Sequence, residues 1–172
     1  MVGLPPFHVM SGESPFAGVV EAVKQRFGDS VKEVKVDAKK ITKLVVDASA
    51  VVDVARYLRD NFGIDHVKAV TGVDLIKLAK KEDRIEVVYQ VGSYSREELR
   101  GGVLNLSVKL DRSSPEMPSL CGIWPSAEYH ERETYEMLGV VFKEHPNLTR
   151  LLLPEFWSDK PPLRKDYEAP GR

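Results

Sequence analysis

Three stretches of the chain repeat apolar residues at helical spacing, and each predicts a helix with one buried face. The first stretch follows Ser14 and Pro15, which suit a cap and a first helical residue, and it stops at Gly28. Its apolar positions fall at i, i+3, i+4, i+7 and i+11, which form one stripe of a helix. They are Phe16, Val19, Val20, Val23 and Phe27. This stripe predicts a helix that packs on a core.

The second and third helices are bounded by start and stop residues of the same kinds. Asp47 or Ser49 is placed to cap the second helix, and a glycine ends it. Its buried face is predicted to consist of Val51, Val54, Leu58 and Phe62. The third helix is predicted over residues 127–138, between Ser126 as its cap and Gly139 as its stop.

Alternation of apolar and polar residues predicts the strands of a largely antiparallel sheet. In residues 103–110, leucine and valine at every second position point to one side, and polar residues point to the other. Residues 84–91 are rich in Ile, Val and Tyr and are predicted to pair antiparallel with them. The other strand candidates are residues 31–36, 41–46, 67–73 and the short stretch 140–142. Residues 111–125 contain three prolines and predict a loop.

The end of the chain combines prolines with large apolar side chains. Disordered tails lack such groups, and an extended segment that is this apolar needs a surface to lie on. The apolar residues are Leu148, Leu151, Leu152, Leu153, Phe156, Trp157 and Leu163. That surface belongs either to the chain's own domain or to another subunit, and groove-docking peptides offer a physical precedent for another subunit. We therefore predict an extended, proline-rich C-terminal arm over residues 143–172 that docks on a partner subunit.

The remaining residues, 1–142, are predicted to form one α+β domain. Its mixed, largely antiparallel sheet of about four strands packs with two or three helices. Composition then excludes several classes of function. With 25 Lys and Arg against 26 Asp and Glu, the net charge of −1 argues against a protein held mainly by nucleic-acid phosphates. The 30% of charged residues are compatible with a thermophilic source.

Cys121 is the single cysteine of the chain. An intrachain disulfide and a four-thiolate iron–sulfur cluster are therefore excluded. No apolar run approaches the roughly 20 residues that span a bilayer, and nothing resembles a signal peptide. The chain is expected to reach a membrane only through a partner.

The densest polar cluster consists of His130, Glu131, Arg132 and Glu133 on the third predicted helix. A solvated face with i,i+4 ion pairs, Glu128 with Arg132 and Arg132 with Glu136, is its plainest interpretation. A metal site is a second one, but H-E-x-x-H is absent, so His145 would have to supply a ligand. Acid–base catalysis by Glu131 or Glu133 with His130 is a third.

An ion-pair network at a subunit interface is the fourth interpretation. Arg132, Arg150 and Arg164 suit bidentate contacts to a partner's carboxylates. Trp157 is either a large anchor in such an interface or a local hydrophobic pin. His145 precedes a proline, a setting more typical of a hydrogen-bonded structural histidine than of a metal ligand.

A long ordered set of motifs lies between Pro118 and Tyr167. It consists of Pro118-Ser119, Trp124-Pro125-Ser126-Ala127, Glu131-Arg132-Glu133, Tyr135, Met137, Gly139, Phe142, His145-Pro146, Leu148, Arg150, Trp157 and Pro162-Leu163-Arg164-Lys165-Asp166-Tyr167. This set resembles the signature region of the respiratory-chain NADH dehydrogenase thirty-kilodalton subunit family (NuoC-like), which includes the corresponding subunit of membrane-bound energy-converting hydrogenases. Four features depart from its pattern. Leu138 stands where an aromatic is common, Glu136 replaces a frequent Asp, and Glu144 stands where Gly is usual. Ser158-Asp159-Lys160 alters the short glycine-containing turn before PLRKD.

The resemblance implies a non-catalytic scaffold. Members of this family bind no cofactor of their own, so no catalytic, cofactor-binding or metal-binding residue is expected. They dock on the large subunit, which holds a quinone-reaction chamber or a nickel–iron site, near the small iron–sulfur subunit at the cytoplasmic face of the membrane. The residues expected at this partner interface are Glu131, Arg132, Glu133, His145, Arg150, Trp157, Arg164, Lys165 and Asp166.

The parent complex is expected to couple electron transfer to ion translocation. A compact chain that ends soon after PLRKDY favours an archaeal-type membrane-bound nickel–iron hydrogenase or a related complex. The NuoC-type subunit of an NADH:quinone oxidoreductase is the alternative. A free-standing enzyme that uses His130, Glu131 and Glu133, and an assembly factor that leaves the finished complex, are the other open hypotheses.

Overall fold

The computed structural model describes residues 14–36, 41–76 and 82–169 of the chain. The last residues of the predicted arm, 170–172, lie outside these ranges. In chain order the elements are α1 (Ala17–Phe27), β1 (Val31–Val36), β2 (Ile41–Val46), α2 (Val51–Phe62), β3 (His66–Asp74), β4 (Arg84–Gly92), β5 (Val103–Asp111), β6 (Glu116–Pro118), α3 (Glu128–Leu138) and β7 (Val141–Lys143). In the described part of the chain, no helix has the length and apolar character needed to cross a bilayer.

Five strands form one mixed sheet in the order β1-β2-β5-β4-β3. β2 and β5 run parallel, and the other neighbouring pairs run antiparallel. The predicted pairing of β4 with β5 is confirmed, with Tyr89 opposite Leu106. The α+β class with a mixed, largely antiparallel sheet is therefore confirmed, with five strands in the main sheet and three helices in the described ranges.

One cluster of buried apolar side chains joins the helices to the sheet. The apolar stripes predicted for α1 and α2 lie in this cluster. All of their residues are buried except Phe27, which is partly buried. β5 contributes alternate residues, also as predicted: Leu104, Leu106, Val108 and Leu110. The helical and strand periods therefore mark the core correctly, because burial of apolar area drives both patterns.

The helix starts differ from the prediction, since none of the expected cap side chains bonds to a helix amide. Backbone turns take their place. The carbonyl of Ser14 accepts a hydrogen bond from the amide of Ala17 at 3.0 Å, and that of Asp47 accepts from Ala50 at 3.1 Å. The third helix follows a 3₁₀ turn, Pro125–Ala127, instead of a Ser126 cap. These turn carbonyls accept hydrogen bonds from amides at the start of each helix, so no side-chain acceptor is needed there.

Two helix stops and one later residue use the left-handed region of the backbone. Gly63 ends α2 with φ 62°, and Gly139 ends α3 with φ 77°, as predicted. Glu144 has φ 61° and is not a glycine. The family pattern that this chain resembles has glycine at that position, and a residue without Cβ adopts this conformation at the lowest cost.

The predicted loop over residues 111–125 contains a strand that the sequence pattern missed. β6 pairs parallel with β7, so that buried Met117 lies opposite buried Phe142. Both strands have three residues, too few to show an alternation. β6 precedes α3 in the chain, and β7 follows it.

Candidate partner interface

Glu131 lies inside the protein, at the centre of a hydrogen-bond network. Its Oε1 accepts hydrogen bonds from the hydroxyl of Tyr89 at 2.8 Å and from the amide of Leu120 at 2.9 Å. Its Oε2 accepts from the hydroxyl of Ser119 at 2.6 Å and from the thiol of Cys121 at 3.4 Å. The side chain has no exposed surface. Glu131 therefore joins α3, β4 and the preceding loop of its own chain.

His145 reaches the same network from the C-terminal side. Its Nε2 lies 3.9 Å from Oε2 of Glu131, and the imidazole is fully buried. The amide of Asn147 donates to its Nδ1 at 3.0 Å, so Nδ1 accepts and Nε2 carries the proton. Nε2 then donates to the carbonyl of Glu128 at 3.2 Å. This is the hydrogen-bonded structural histidine that the neighbouring proline suggests.

Cys121, Glu131 and His145 place one potential metal ligand atom each within 4.8 Å of one another. Sulfur, oxygen and nitrogen donors of this kind suit zinc. Each donor is already engaged, however, because Nε2 of His145 is protonated and both oxygens of Glu131 accept hydrogen bonds. Burial, together with the nearby Glu131 carboxylate, raises the pKa of the Cys121 thiol to about 12. The cluster is thus arranged as a hydrogen-bond network.

Arg132 and Glu136 bind the backbone of the C-terminal segment, which we define as residues 144–169. Arg132 donates to the carbonyl and hydroxyl of Thr149 and to the carbonyl of Arg150, at 2.9–3.0 Å. Glu136 accepts hydrogen bonds from three consecutive amides, those of residues 151–153, at 2.7–3.1 Å. The expected ion pairs of Arg132 with Glu128 and Glu136 do not form in the described structure, because backbone groups of the C-terminal segment lie within reach of both side chains.

Arg150 and Trp157 make contacts inside the C-terminal segment. The guanidinium of Arg150 donates to the carbonyls of Pro154 and Glu155. The indole N–H of Trp157 donates to the carbonyl of Lys160, and its ring lies 5.9 Å from that of Tyr167. Trp157 therefore packs locally, and its role as an interface anchor stays a prediction.

Asp74 fixes the last part of the C-terminal segment. It forms a two-pronged ion pair with Arg112 and accepts the amide of Lys165 at 3.0 Å. Arg112 also pairs with Asp166 at 2.5 Å. Burial opposes ionisation of Asp74, but the hydrogen bonds from Arg112, Lys165 and Ile76 outweigh it and lower the pKa of this carboxyl.

Arg164 adds a second link next to this ion pair. Its guanidinium donates to the carbonyls of Leu138 and Arg112 at 2.8 and 3.0 Å. The carbonyl of Leu138 lies at the end of α3, where unpaired carbonyls favour a cation. Arg164 therefore caps α3 from the C-terminal segment.

Three apolar side chains of the C-terminal segment are largely exposed, whereas Leu148 packs against the core. Phe156 is 84% exposed, Leu152 61% and Leu163 58%. Glu133 is exposed as well and makes no hydrogen bond or ion pair to any described residue. Among the expected interface residues, the structure thus buries Glu131 and the imidazole of His145. Five others have side chains that are engaged within the chain: Arg132, Arg150, Trp157, Arg164 and Asp166.

The domain binds the backbone of the C-terminal segment with polar groups and leaves Phe156, Leu152 and Leu163 exposed to solvent. Such a surface is typical of a protein that works within an assembly. The chain belongs to the respiratory-chain NADH dehydrogenase 30 kDa subunit family, whose sequence profile matches residues 44–172. The resemblance carried by the ERE and PLRKDY motifs is confirmed.

Two relatives illustrate this membership. The C subunit of the F(420)H(2) dehydrogenase of Methanosarcina mazei is 35% identical over 151 residues, which cover 88% of this chain and 90% of the relative. The C subunit of the NADH-quinone oxidoreductase of a Roseiflexus species is 43% identical over 118 residues, which cover 67% of this chain and 63% of the relative. The chain therefore matches less than two thirds of the length of that second relative.

Two solved structures share the fold. The trypsin-resistant fragment (1–134) of Nqo5 superposes with a TM-score of 0.67 at 20% identity, over 78% of this chain and 99% of the fragment. A chain of the membrane-bound sulfane sulfur reductase, an archaeal respiratory membrane complex, superposes with a TM-score of 0.65 at 23% identity, over 88% of this chain and 84% of that chain. Both likenesses show that this chain shares the fold of these two proteins.

Proposed function

We propose that this chain is a non-catalytic scaffold subunit of a complex-I-like, ion-translocating oxidoreductase. It docks on the large catalytic subunit, near the small iron–sulfur subunit, at the cytoplasmic face of the membrane. The large subunit is of the quinone-chamber or nickel–iron type. Membership in the 30 kDa subunit family supports the class of assembly, and the surface of the C-terminal segment supports the docking mode.

The observation that carries this proposal is the separation of polar and apolar groups in the C-terminal segment. Arg132, Glu136 and Asp74 bind its backbone, while Phe156 and Leu152 stay exposed. Exposed apolar side chains gathered on one segment are typical of a surface that a partner covers. Because the backbone is already ordered, docking of these side chains costs little conformational entropy.

A double substitution tests the docking surface. Phe156→Ser with Leu152→Ser, in a tagged full-length chain produced in the source organism, is expected to reduce co-purification of the neighbouring subunits at least tenfold. Removing the two exposed side chains together is expected to cost at least about 1.4 kcal/mol of binding free energy. The free energy of unfolding of the isolated double variant is expected to lie within about 0.5 kcal/mol of that of the unchanged chain, because both side chains are exposed.

A matched control removes apolar side chains elsewhere. Val36 and Tyr94 are 57% and 62% exposed and lie outside the C-terminal segment. The pair Val36→Ser and Tyr94→Ser is expected to leave co-purification unchanged. If the Phe156→Ser, Leu152→Ser variant co-purified with as much of the neighbouring subunits as this control, the proposed docking surface would be contradicted.

The free-standing enzyme has weaker geometric support. The carboxylate of Glu131 is buried and engaged, whereas His130 and Glu133 line a surface groove against β3. The three residues therefore do not share one site. Turnover or stoichiometric metal in the isolated chain, lost in Glu131→Gln, would favour this alternative and count against the scaffold.

The electron donor of the parent complex has three candidates, which are hydrogen, NADH and reduced coenzyme F420. The NADH-quinone oxidoreductase relative supports NADH. The F(420)H(2) dehydrogenase relative, of which this chain covers 90%, supports reduced coenzyme F420. The purified complex is assayed with hydrogen, reduced F420 and NADH in parallel, and the donor that reduces its iron–sulfur centres identifies the type.

A further inference from the structure

One edge of the main sheet is open beside α3. Among the described strands, β3 stands last in the strand order and pairs with β4 alone. A groove of about 260 Å³ runs along residues 69–72 of this strand and is closed on its other side by α3. An unpaired strand edge presents backbone N–H and C=O groups that pair readily with another extended chain.

The walls of this groove combine an apolar part with an exposed carboxylate. Met137 and Leu163 supply apolar surface, and His130 and Glu133 supply polar groups. Glu133 is exposed and has no ion pair or hydrogen bond within the described structure. A carboxylate at the rim of an apolar groove favours a ligand that places a cation there.

The open strand edge favours a peptide over a small molecule or a helix. The volume of the groove lies below the range of about 300–1,000 Å³ that is usual for small-molecule sites. An extended segment can pair with the open backbone groups of β3 at the usual strand spacing of about 4.8 Å. A helix has no free backbone groups along its length for such pairing.

We propose that an extended segment of a neighbouring subunit adds to the edge of β3 and that a lysine or arginine of that segment pairs with Glu133. This inference rests on the proposed scaffold function and names a second contact, separate from the exposed side chains of Phe156 and Leu152. Backbone pairing supplies the adhesion, and the Glu133 ion pair fixes the register of the added strand.

Photo-crosslinking in the assembled complex tests the occupant of the groove. Thr71 lies in β3, lines the groove and is exposed. Thr71 is replaced by p-benzoylphenylalanine in the full-length chain, the complex is purified and irradiated, and the crosslinked peptide is sequenced by mass spectrometry. The expected product is a peptide of another subunit that contains a lysine or arginine in an extended stretch.

Charge reversal tests the ion pair. Glu133→Lys is expected to lower the yield of the Thr71 crosslink about tenfold, and the reversed charge on the crosslinked partner residue is expected to restore it. Glu21→Lys is the matched control, since Glu21 is exposed on α1 and makes no ion pair in the described ranges. Thermal unfolding of the isolated Glu133→Lys chain is expected to stay unchanged, which excludes misfolding.

Several outcomes would overturn the inference. They are a crosslink to a second copy of this chain, a crosslink within the same chain, no crosslink, a partner peptide without a cation, or a Glu133→Lys yield equal to that of Glu21→Lys. If the chain co-purifies with its neighbours and gives one of these results, only the proposed binding of a segment in the β3 groove is contradicted. A chain that fails to co-purify with any subunit contradicts the proposed scaffold function itself.

Discussion

Glu131 joins parts of the chain that are remote in sequence. Tyr89 on β4 and Leu120 in the loop before α3 both donate to its Oε1. A buried carboxylate is costly unless donors surround it, and the hydrogen-bonded neighbours of this one all donate. The arrangement matches the chemistry of an ionised carboxylate, which accepts hydrogen bonds and donates none.

We predict that Glu131→Gln lowers the free energy of unfolding by about 1–3 kcal/mol. The glutamine amide has one acceptor oxygen. Its NH₂ group would therefore face the donors that now bond to one of the two carboxylate oxygens, and those hydrogen bonds would be lost. Urea unfolding of the isolated chain measures the change. Glu21→Gln on the exposed face of α1 is the control, with a change expected within about 0.5 kcal/mol. Equal losses in the two variants would refute an internal role for Glu131.

At the scale of elements, β3 and α3 approach each other closely at Gly72. A Cβ atom at this position would overlap Cδ1 of Leu138 and lie 3.0 Å from Cγ2 of Thr134. Leu138 is 2% exposed and has little room to move. The absence of a side chain at Gly72 therefore sets the distance between strand and helix, and with it the width of the groove beside β3.

We predict that Gly72→Ala lowers the free energy of unfolding by about 1–3 kcal/mol, the usual effect of overpacking. Adding Leu138→Ala is expected to cost less than the sum of the two single changes, because the smaller residue makes room for the methyl group. Gly122→Ala is the control, since a Cβ there meets no atom within 4 Å. Strictly additive losses would show that the two residues are not in contact.

The elements that sequence reasoning identified are those with a local period. The stripes of α1 and α2 and the alternation of β5 repeat often enough to indicate a buried face. The short strand predicted over residues 140–142 is confirmed as β7, whereas β6, which also has three residues, was missed. The pairing of these two strands joins residues from either side of α3. Such a pairing depends on tertiary contacts and leaves no pattern in the sequence.

The candidate interface was predictable only in part, for a similar reason. The ERE motif and its resemblance to the family drew attention to Glu131 and Arg132. Neither their burial nor their partners followed from spacing. Glu136 and Asp74 were missed as anchors of the C-terminal segment, because their partners arrive from far along the chain: Asp74 and Lys165 are 91 residues apart.

At the scale of the whole molecule, Asp74 connects the main sheet to the end of the C-terminal segment. It ends β3, is 2% exposed, and binds Arg112 and the amide of Lys165. Arg112 in turn holds Asp166, and this hydrogen bond lowers the pKa of Asp166. Charged groups therefore hold this end of the segment on the domain, while Phe156 and Leu152 remain exposed.

We predict that the attachment of residues 160–169 depends on pH. Because the folded-state pKa of Asp74 is lowered, its contribution is fully present above the unfolded-state pKa of about 3.9 and is lost as pH falls through the folded value. Hydrogen exchange of these amides, corrected for the intrinsic effect of pH, is expected to accelerate below about pH 4, before global unfolding.

Asp74→Asn is expected to produce the same release at neutral pH. Losing the charged hydrogen bonds of a buried carboxylate costs about 1–3 kcal/mol, which raises the rate of tryptic cleavage after Arg164 and Lys165 about five- to 150-fold. Asp83→Asn is the control, because Asp83 is exposed and makes no ion pair to any described residue. If Asp74→Asn were cleaved no faster than Asp83→Asn, the apolar contacts of the segment, and not the Asp74 ion pair, would hold it on the domain.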